Sequence, residues 1–394
     1  MIKRKTSSKT TIFAILTTVF IAMSGIILLN AGNCTNFGEH ATATAMSSAE
    51  GMAVIEVKSG RVLYSKNMHK VLAPASTTKI LTAIVVLENV DCLDTPHKIP
   101  DSAIGVEGSS IYLQKGEKLS VRDLLYGLML QSGNDCAEAL AIITAGSKEK
   151  FAVLMNETAK KAGAINSNFV TPHGLDAKGH MTTAYDLAKI SAYAMHNKDF
   201  ATIVATKKHS CPYGDREYNR VIVNKNRLLN SYDGADGVKT GYTKKAGRTF
   251  VGSATRNNMQ VVCAVLNCGP MFEDTARLLN AAFNEFSLTE LGKRGDTNSA
   301  FAVPVTDSKK DNALLTNKEV GLYPLRESEL ASIEIKANKP STLKAPQKQG
   351  DIVGDVEYYL ENQLIFKTDL VIIEDVESLS LVDRLKDIAT NWNK

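Results

Sequence analysis

Clustered basic charge is missing from this sequence. The formal net charge is +4 over 394 residues, and Lys3, Arg4, Lys5 and Lys9 against Glu39 place a net +3 of it in residues 1–46. The remaining +1 provides no basic face, which excludes the electrostatic footprint of a nucleic-acid-binding protein. Cys-x-x-Cys and His-Glu-x-x-His are also absent, so no metal site is recognisable and no cofactor is implied. Six cysteines are present without tight framework spacing. With Cys34 in the N-terminal stretch, Cys92, Cys136, Cys211, Cys263 and Cys268 leave an odd number, and mostly free, buried thiols are expected rather than a disulfide scaffold. A second long apolar run is lacking too, which argues against a multi-span membrane protein.

What is present begins with a basic start followed by an apolar stretch from Thr11 to Ala31. It reads as an export signal or, being close to the ~20 residues that cross a bilayer, as an uncleaved anchor. Ala41 to Ala45 offers small residues for cleavage, whereas Asn33 before Cys34 argues against a lipid-modified cysteine. Composition is globular, with 44% hydrophobic and 22% charged residues. A chain of this length exceeds one ordinary core, and the expected layout is an N-terminal signal or anchor (1–46), a main domain (47–294), a small domain (295–376) and a tail (377–394).

Ala53–Val57 and Arg61–Tyr64 read as a β-hairpin. A helix is expected from Ser120 with Asp123, and another after the bend Gln131-Ser132-Gly133-Asn134-Asp135. Thr183 to Tyr193 is helical in pattern. Arg248 to Thr255 and Met259 to Leu266 alternate around an Asn257-Asn258 turn and follow Gly237 to Thr243 as antiparallel strands. Glu273 to Phe286 is an amphipathic helix with Ala276, Leu279, Ala282, Phe283 and Phe286 inward. Strands at both ends of the domain and helices between them predict an α+β fold, one antiparallel sheet flanked by helices. Short segments then follow, at Ala300–Val305, Val320–Tyr323, Ser332–Ala337, Val356–Leu360, Leu364–Phe366 and Leu370–Ile373, and predict a small all-β sandwich domain. In the tail, Leu381, Leu385, Ile388 and Trp392 form a helical stripe that fits either a membrane interface or packing on the β domain.

Chemistry centres on Pro74-Ala75-Ser76-Thr77-Thr78-Lys79, immediately before the apolar run from Ile80 to Leu87. Residues at i and i+3 share a helix face, so the Lys79 amine can reach the Ser76 hydroxyl while the helix N-terminus faces developing negative charge. This reads as a nucleophile and its base. Ser-x-x-Lys also occurs at Ser147/Lys150 and Ser341/Lys344, in polar or Pro-rich surroundings that suggest solvated surface. Only the first has Ser132-Gly133-Asn134 following 56 residues later, on an interhelical bend, and Lys239-Thr240-Gly241 a further 107 residues on, in a strand. The loop Thr171 to His180 holds two histidines and an aspartate and is expected to be a hydrogen-bonded structural loop rather than a metal site.

This ordered triplet resembles the penicillin-binding protein and serine β-lactamase superfamily. Asp236 to Thr243, Ala246-Gly247-Arg248, Pro172 to Leu175 and Gly179 to Ala188 further resemble the low-molecular-mass D-alanyl-D-alanine carboxypeptidases, over roughly Ala53 to Phe286 and more loosely through the β domain. The resemblance implies a DD-peptidase-like fold on the exported side of a membrane, with peptidoglycan stem peptides ending in D-Ala-D-Ala as substrate and β-lactams as inhibitors. By position, it implies Ser76 as nucleophile, Lys79 as neutral base and Ser132 as proton relay to the leaving amine. Asn134 would hold the substrate amide, Lys239 and Thr240 would face the terminal carboxylate, and the backbone N–H groups of Ser76 and Tyr242 would form the oxyanion hole. Some relatives carry an arginine upstream of the Lys-Thr-Gly strand. Here Lys225 aligns with it, without the bidentate fork of a guanidinium, and Arg227 is expected to face solvent.

Two other readings share the triplet. A class A β-lactamase needs a glutamate-activated water for deacylation, and no Glu-x-x-Leu-Asn segment lies between Ser132 and Lys239. A β-lactam sensor that stays acylated ordinarily joins a transmembrane signalling part, for which this chain has no cytoplasmic module.

Overall fold

The structure, a computed structural model, describes residues 47–292 and 301–391. The expected export segment, Cys34 and Trp392 lie outside the described residues.

One five-stranded antiparallel sheet organises the main domain, in the order Val62–Lys66, Gly51–Glu56, Met259–Leu266, Gly247–Arg256, Ala235–Thr243. The first two strands come from the start of the domain and the last three from its end, as expected. Period-2 alternation splits the side chains between two cores. Ala53, Ile55, Val262 and Ala264 join the helical side, while Met52, Val54, Val261, Cys263 and Val265 face the helix Met271–Glu285. Both faces are covered, which is why these strands read as nearly continuous apolar runs. That helix buries Leu278 and Asp274 along with Leu279 and Ala282, whereas Ala276 and Phe283 are only partly buried. The buried stripe is thus turned slightly from the predicted one.

On the other face, the helix Lys79–Asn89 is buried at every position from Lys79 to Val86. A helix apolar all round belongs at the centre of a domain, and it is packed by Val121–Leu130, Asn134–Ala145, Lys148–Lys161 and Ala184–Met195. Local capping sets where these helices begin. The Ser120, Ser147 and Thr183 hydroxyls accept the backbone N–H of Asp123, Lys150 and Asp186, respectively. Ser147-x-x-Lys150, the second Ser-x-x-Lys match, is therefore a helix N-cap.

The C-terminal region is all β, built from a four-stranded, a three-stranded and a two-stranded sheet around a shared core that includes Val303, Leu315, Tyr323, Val356 and Leu370. Two expected strands at Leu364–Phe366 and Leu370–Ile373 are one continuous strand, Gln363–Ile372. The polar run Lys367-Thr368-Asp369 resembles a break but is not one, because Thr368 turns inward and Lys367 pairs across the sheet with Glu357 at 2.8 Å. Ser287–Leu291, ahead of the boundary expected at 295, pairs with Gly321–Leu325 of this region.

Arg61 links the two regions. Its guanidinium bonds both carboxylate oxygens of Glu329 (2.5 and 3.0 Å) and the Pro324 carbonyl (2.5 Å), and it lies 5.3 Å over the Phe286 ring. Of the five described cysteines, Cys136, Cys211, Cys263 and Cys268 are buried free thiols, and Cys92 is free but exposed.

Candidate active site

Ser76 lies on a short 3-10 turn, Ala75–Thr78, that runs directly into the helix Lys79–Asn89. Ala75 just before it has φ 50°, a left-handed conformation that a residue with a Cβ adopts only when its surroundings impose it. The turn is held by the Thr77 and Thr249 hydroxyls, which donate to the Pro74 carbonyl at 2.5 and 3.1 Å. Lys79 is fully buried. Its Nζ stands 2.9 Å from Ser76 Oγ, 2.7 Å from Asn134 Oδ1 and 2.6 Å from the His173 carbonyl oxygen.

Those partners bear on protonation. A carbonyl and an amide oxygen can only accept, so they take two N–H bonds and leave the third position of the nitrogen facing the serine hydroxyl. A neutral amine fits with its lone pair aimed at Ser76. Burial and then the Lys239 charge push the Lys79 pKa far below that of an ordinary lysine. Lys239 is itself buried, its Nζ donating to the Thr240 carbonyl at 3.0 Å. Burial and the Lys225 charge bring its pKa down to about 7.

Ser132 occupies the bend between Val121–Leu130 and Asn134–Ala145, with φ 64°. Asn134 opens the second helix and is engaged at both ends, its Oδ1 by Lys79 and its Nδ2 by the Glu107 carbonyl at 2.5 Å. Its amide is committed to orienting Lys79, so an approaching substrate amide would compete with these bonds. Lys225 reaches the Gln131 carbonyl at 2.8 Å and Ser109 Oγ at 3.4 Å. It ties the bend to the loop that carries Ser109.

Ser76, Ser132, Thr240, Tyr242 and Lys225 line one cleft of about 800 Å³, together with Ser109, Arg227, Arg248 and the segment 269–273. Lys79, Asn134 and Lys239 lie buried beneath it. Arg227 is exposed, as expected, yet its side chain also forms part of the cleft wall. The strand Ala235–Thr243 is the sheet edge on this side, the kind of edge to which an extended peptide can add as a further strand. It approaches the Ser76 turn closely, since a Cβ on Gly241 would stand 3.0 Å from the Ser76 nitrogen. That Cβ would also fall 2.4 Å from Thr249 Oγ1, so the strand can lie this close to the Ser76 turn only with glycine at 241.

The profile of the family described as D-alanyl-D-alanine carboxypeptidase matches residues 38–269, more than half of the chain. The chain belongs to the D-alanyl-D-alanine carboxypeptidase family. A second profile, described as the C-terminal domain of penicillin-binding protein 5, matches residues 286–378. It therefore starts beside the strand Ser287–Leu291. D-alanyl-D-alanine carboxypeptidase DacC of Escherichia coli is 34% identical over 371 residues, covering 90% of each chain. DacF of Bacillus subtilis is 28% identical over 361 residues, covering 90% of this chain and 92% of its own. Among solved structures, penicillin-binding protein 5 from Haemophilus influenzae superimposes with a TM-score of 0.68 at 26% identity, over 84% of this chain and 98% of its own.

For a D-alanyl-D-alanine carboxypeptidase of this build, sequence reasoning missed two supports of the site. The Asp135 carboxylate is buried and accepts Ser110 Oγ (2.5 Å) and the backbone N–H groups of Ile111 and Leu113 (both 3.1 Å), which fastens the loop that carries Ser109. The loop Thr171 to His180 supplies the His173 carbonyl to Lys79, and the Pro172 carbonyl accepts the Thr82 hydroxyl at 2.6 Å. His180 Nδ1 accepts the Val170 N–H at 2.9 Å and its Nε2 meets Thr78 Oγ1 at 2.9 Å, so one ring nitrogen holds the start of the loop and the other ties it to the Ser76 turn. Burial and the neighbouring His173 lower the His180 pKa to about 4. A backbone acceptor carries no side-chain signature, which is why it could not be read from residue types.

Proposed function

We propose that the chain is a serine-type D-Ala-D-Ala carboxypeptidase that removes the terminal D-alanine from peptidoglycan stem pentapeptides outside the cytoplasm. The observation that carries the reading is the buried Lys79 amine, 2.9 Å from Ser76 Oγ in surroundings that favour its neutral form. In this reading the stem peptide adds as a strand to the edge Ala235–Thr243, with its terminal carboxylate toward Thr240 and the Lys239 charge. Ser76 Oγ attacks the penultimate D-Ala carbonyl as its proton passes to Lys79. The backbone N–H groups of Ser76 and Tyr242 receive the oxyanion. When the C–N bond breaks, the proton moves through Ser132 to the leaving D-alanine amine, and water then hydrolyses the ester to regenerate Ser76. Penicillin would acylate the same oxygen by opening its four-membered ring.

Ser76→Ala should abolish both D-alanine release from a pentapeptide and labelling by a fluorescent penicillin, with the melting temperature unchanged. Release of D-alanine by the folded variant at an undiminished rate would sink the assignment.

The proposal includes association with a membrane surface. No helix among the described residues is long and apolar enough to cross a bilayer, but Leu381, Val382 and Leu385 of the helix Leu381–Asn391 are exposed. An apolar stripe of this kind suits the interface. Cosedimentation with lipid vesicles should weaken in the double variant Leu381→Ser, Leu385→Ser; equal sedimentation of the two proteins would exclude the tail as the contact.

A further inference from the structure

Glu138 is a buried carboxylate that the reaction as described does not use. It lies four residues after Asn134 on the helix Asn134–Ala145, so the two side chains share a helix face. Asn134 bonds Lys79 directly. Glu138 is 3% exposed, and its Oε1 is 3.2 Å from His173 Nε2. Its Oε2 has no hydrogen bond and stands 3.4 Å from the Lys148 ammonium. A buried carboxylate is costly unless it is paired; Lys148 pairs with Oε2, and Oε1 faces the His173 ring.

The partner of that oxygen links it to the base. His173 Nδ1 accepts the Leu175 backbone N–H at 3.1 Å, so a neutral ring carries its proton on Nε2, facing Glu138. The ring is thereby fixed from both sides, and the carbonyl of the same residue receives the Lys79 amine at 2.6 Å. The turn has little room to adjust. Gly174 has φ +85°, and a Cβ there would fall 1.9 Å from the Ala75 carbonyl oxygen, on the nucleophile turn itself. The helix that carries Glu138 and the loop that carries His173 thus converge on one amine by two routes, one through Asn134 Oδ1 and one through the His173 carbonyl.

We propose that Glu138 is a positioning residue of the acylation step: through the His173 ring it fixes the carbonyl that aims the Lys79 amine at Ser76. The inference rests on reading Ser76 and Lys79 as nucleophile and base. Its action is geometric, since misplacing a reacting group by about 1 Å can cost on the order of a hundredfold in rate.

The test compares the parent chain with Glu138→Gln, Glu138→Asp and Glu138→Ala, with Ser76→Ala as reference, by D-alanine release from a peptide ending in D-Ala-D-Ala and by acylation with a fluorescent penicillin. Glu138→Ala and Glu138→Asp, the latter too short to reach the ring, should lower kcat and the acylation rate by about tenfold to a hundredfold, with KM within about twofold of the parent. Glu138→Gln keeps an acceptor at the same reach and should recover most of the rate. Glu138→Asp serves if the alanine variant does not fold. The inference is overturned if the folded Ala or Asp variant keeps its kcat, if the loss falls in KM alone, or if Gln loses as much as Ala. Failure of all three variants to fold would assign Glu138 to stability and overturn it as well. Acylation persisting in Ser76→Ala would instead overturn the nucleophile assignment, which a different protein reports.

Discussion

Two buried lysines of the same site are asked to do opposite things, and their surroundings separate them. Lys79 has two obligatory acceptors and a neighbouring cation, so its free amine is favoured. Lys239 lies beneath the cleft with a pKa of about 7, and a substrate carboxylate beside it would favour the ammonium. The signs give a bell-shaped profile. The rate of D-alanine release should rise with pH as Lys79 loses its proton, and kcat/KM should fall as pH passes about 7 and Lys239 loses its charge. The alkaline limb of kcat should lie higher, because it reports the complex, in which the carboxylate holds the proton on Lys239. A kcat/KM that still climbs between pH 8 and 10, roughly toward an ordinary lysine pKa, would contradict this assignment. Lys239→Met should remove the alkaline limb and raise KM.

At the scale of elements, the site exists because a helix, an interhelical bend, an edge strand and a loop are pressed together. Gly174 marks the tightest of these contacts. A Cβ there meets the Ala75 carbonyl at 1.9 Å and sits at a left-handed φ, so Gly174→Ala must displace either the loop or the Ser76 turn. The backbone conformation alone costs about 1–3 kcal/mol. Thermal melting should fall by several degrees and penicillin labelling should slow by more than about tenfold, since the His173 carbonyl moves with the loop. A variant with parental melting and labelling would show that the loop can shift without disturbing Lys79. The two serines carry a related lesson: Ser147 caps the helix Lys148–Lys161, whereas Ser76 caps nothing and lies on the turn ahead of a buried helix, facing a cleft.

Across the whole molecule, Arg61 couples the α+β region to the C-terminal β region. Its side chain is mostly buried and is matched by Glu329, while Arg326 stacks 4.1 Å over Phe286 and pairs with Glu285 at 3.2 Å. Removing one partner of such a pair leaves the other desolvated, at a cost of about 3–5 kcal/mol where burial is complete and less here. Arg61→Ala should therefore split a single calorimetric transition into two while leaving penicillin acylation at the parental rate. One unchanged transition would show that the interface does not couple the regions.

The sequence by itself was enough for the α+β sheet built from both ends of the domain, the helix starts at Ser120 and Thr183, and the ordered Ser-x-x-Lys, Ser-Gly-Asn and Lys-Thr-Gly triplet. These rest on period, capping and turn chemistry, which are properties of neighbouring residues. It misplaced what depends on pairing partners: the polar run Lys367-Thr368-Asp369 continues a strand because Glu357 and the β core receive its side chains. Only the tertiary structure decided how Lys79 is surrounded, because one of its three partners is a backbone carbonyl 94 residues away and two of the charges that act on it come from Lys239 and Lys225. Burial and long-range charge are set by which segments meet, and no local pattern in the chain encodes the protonation state they impose.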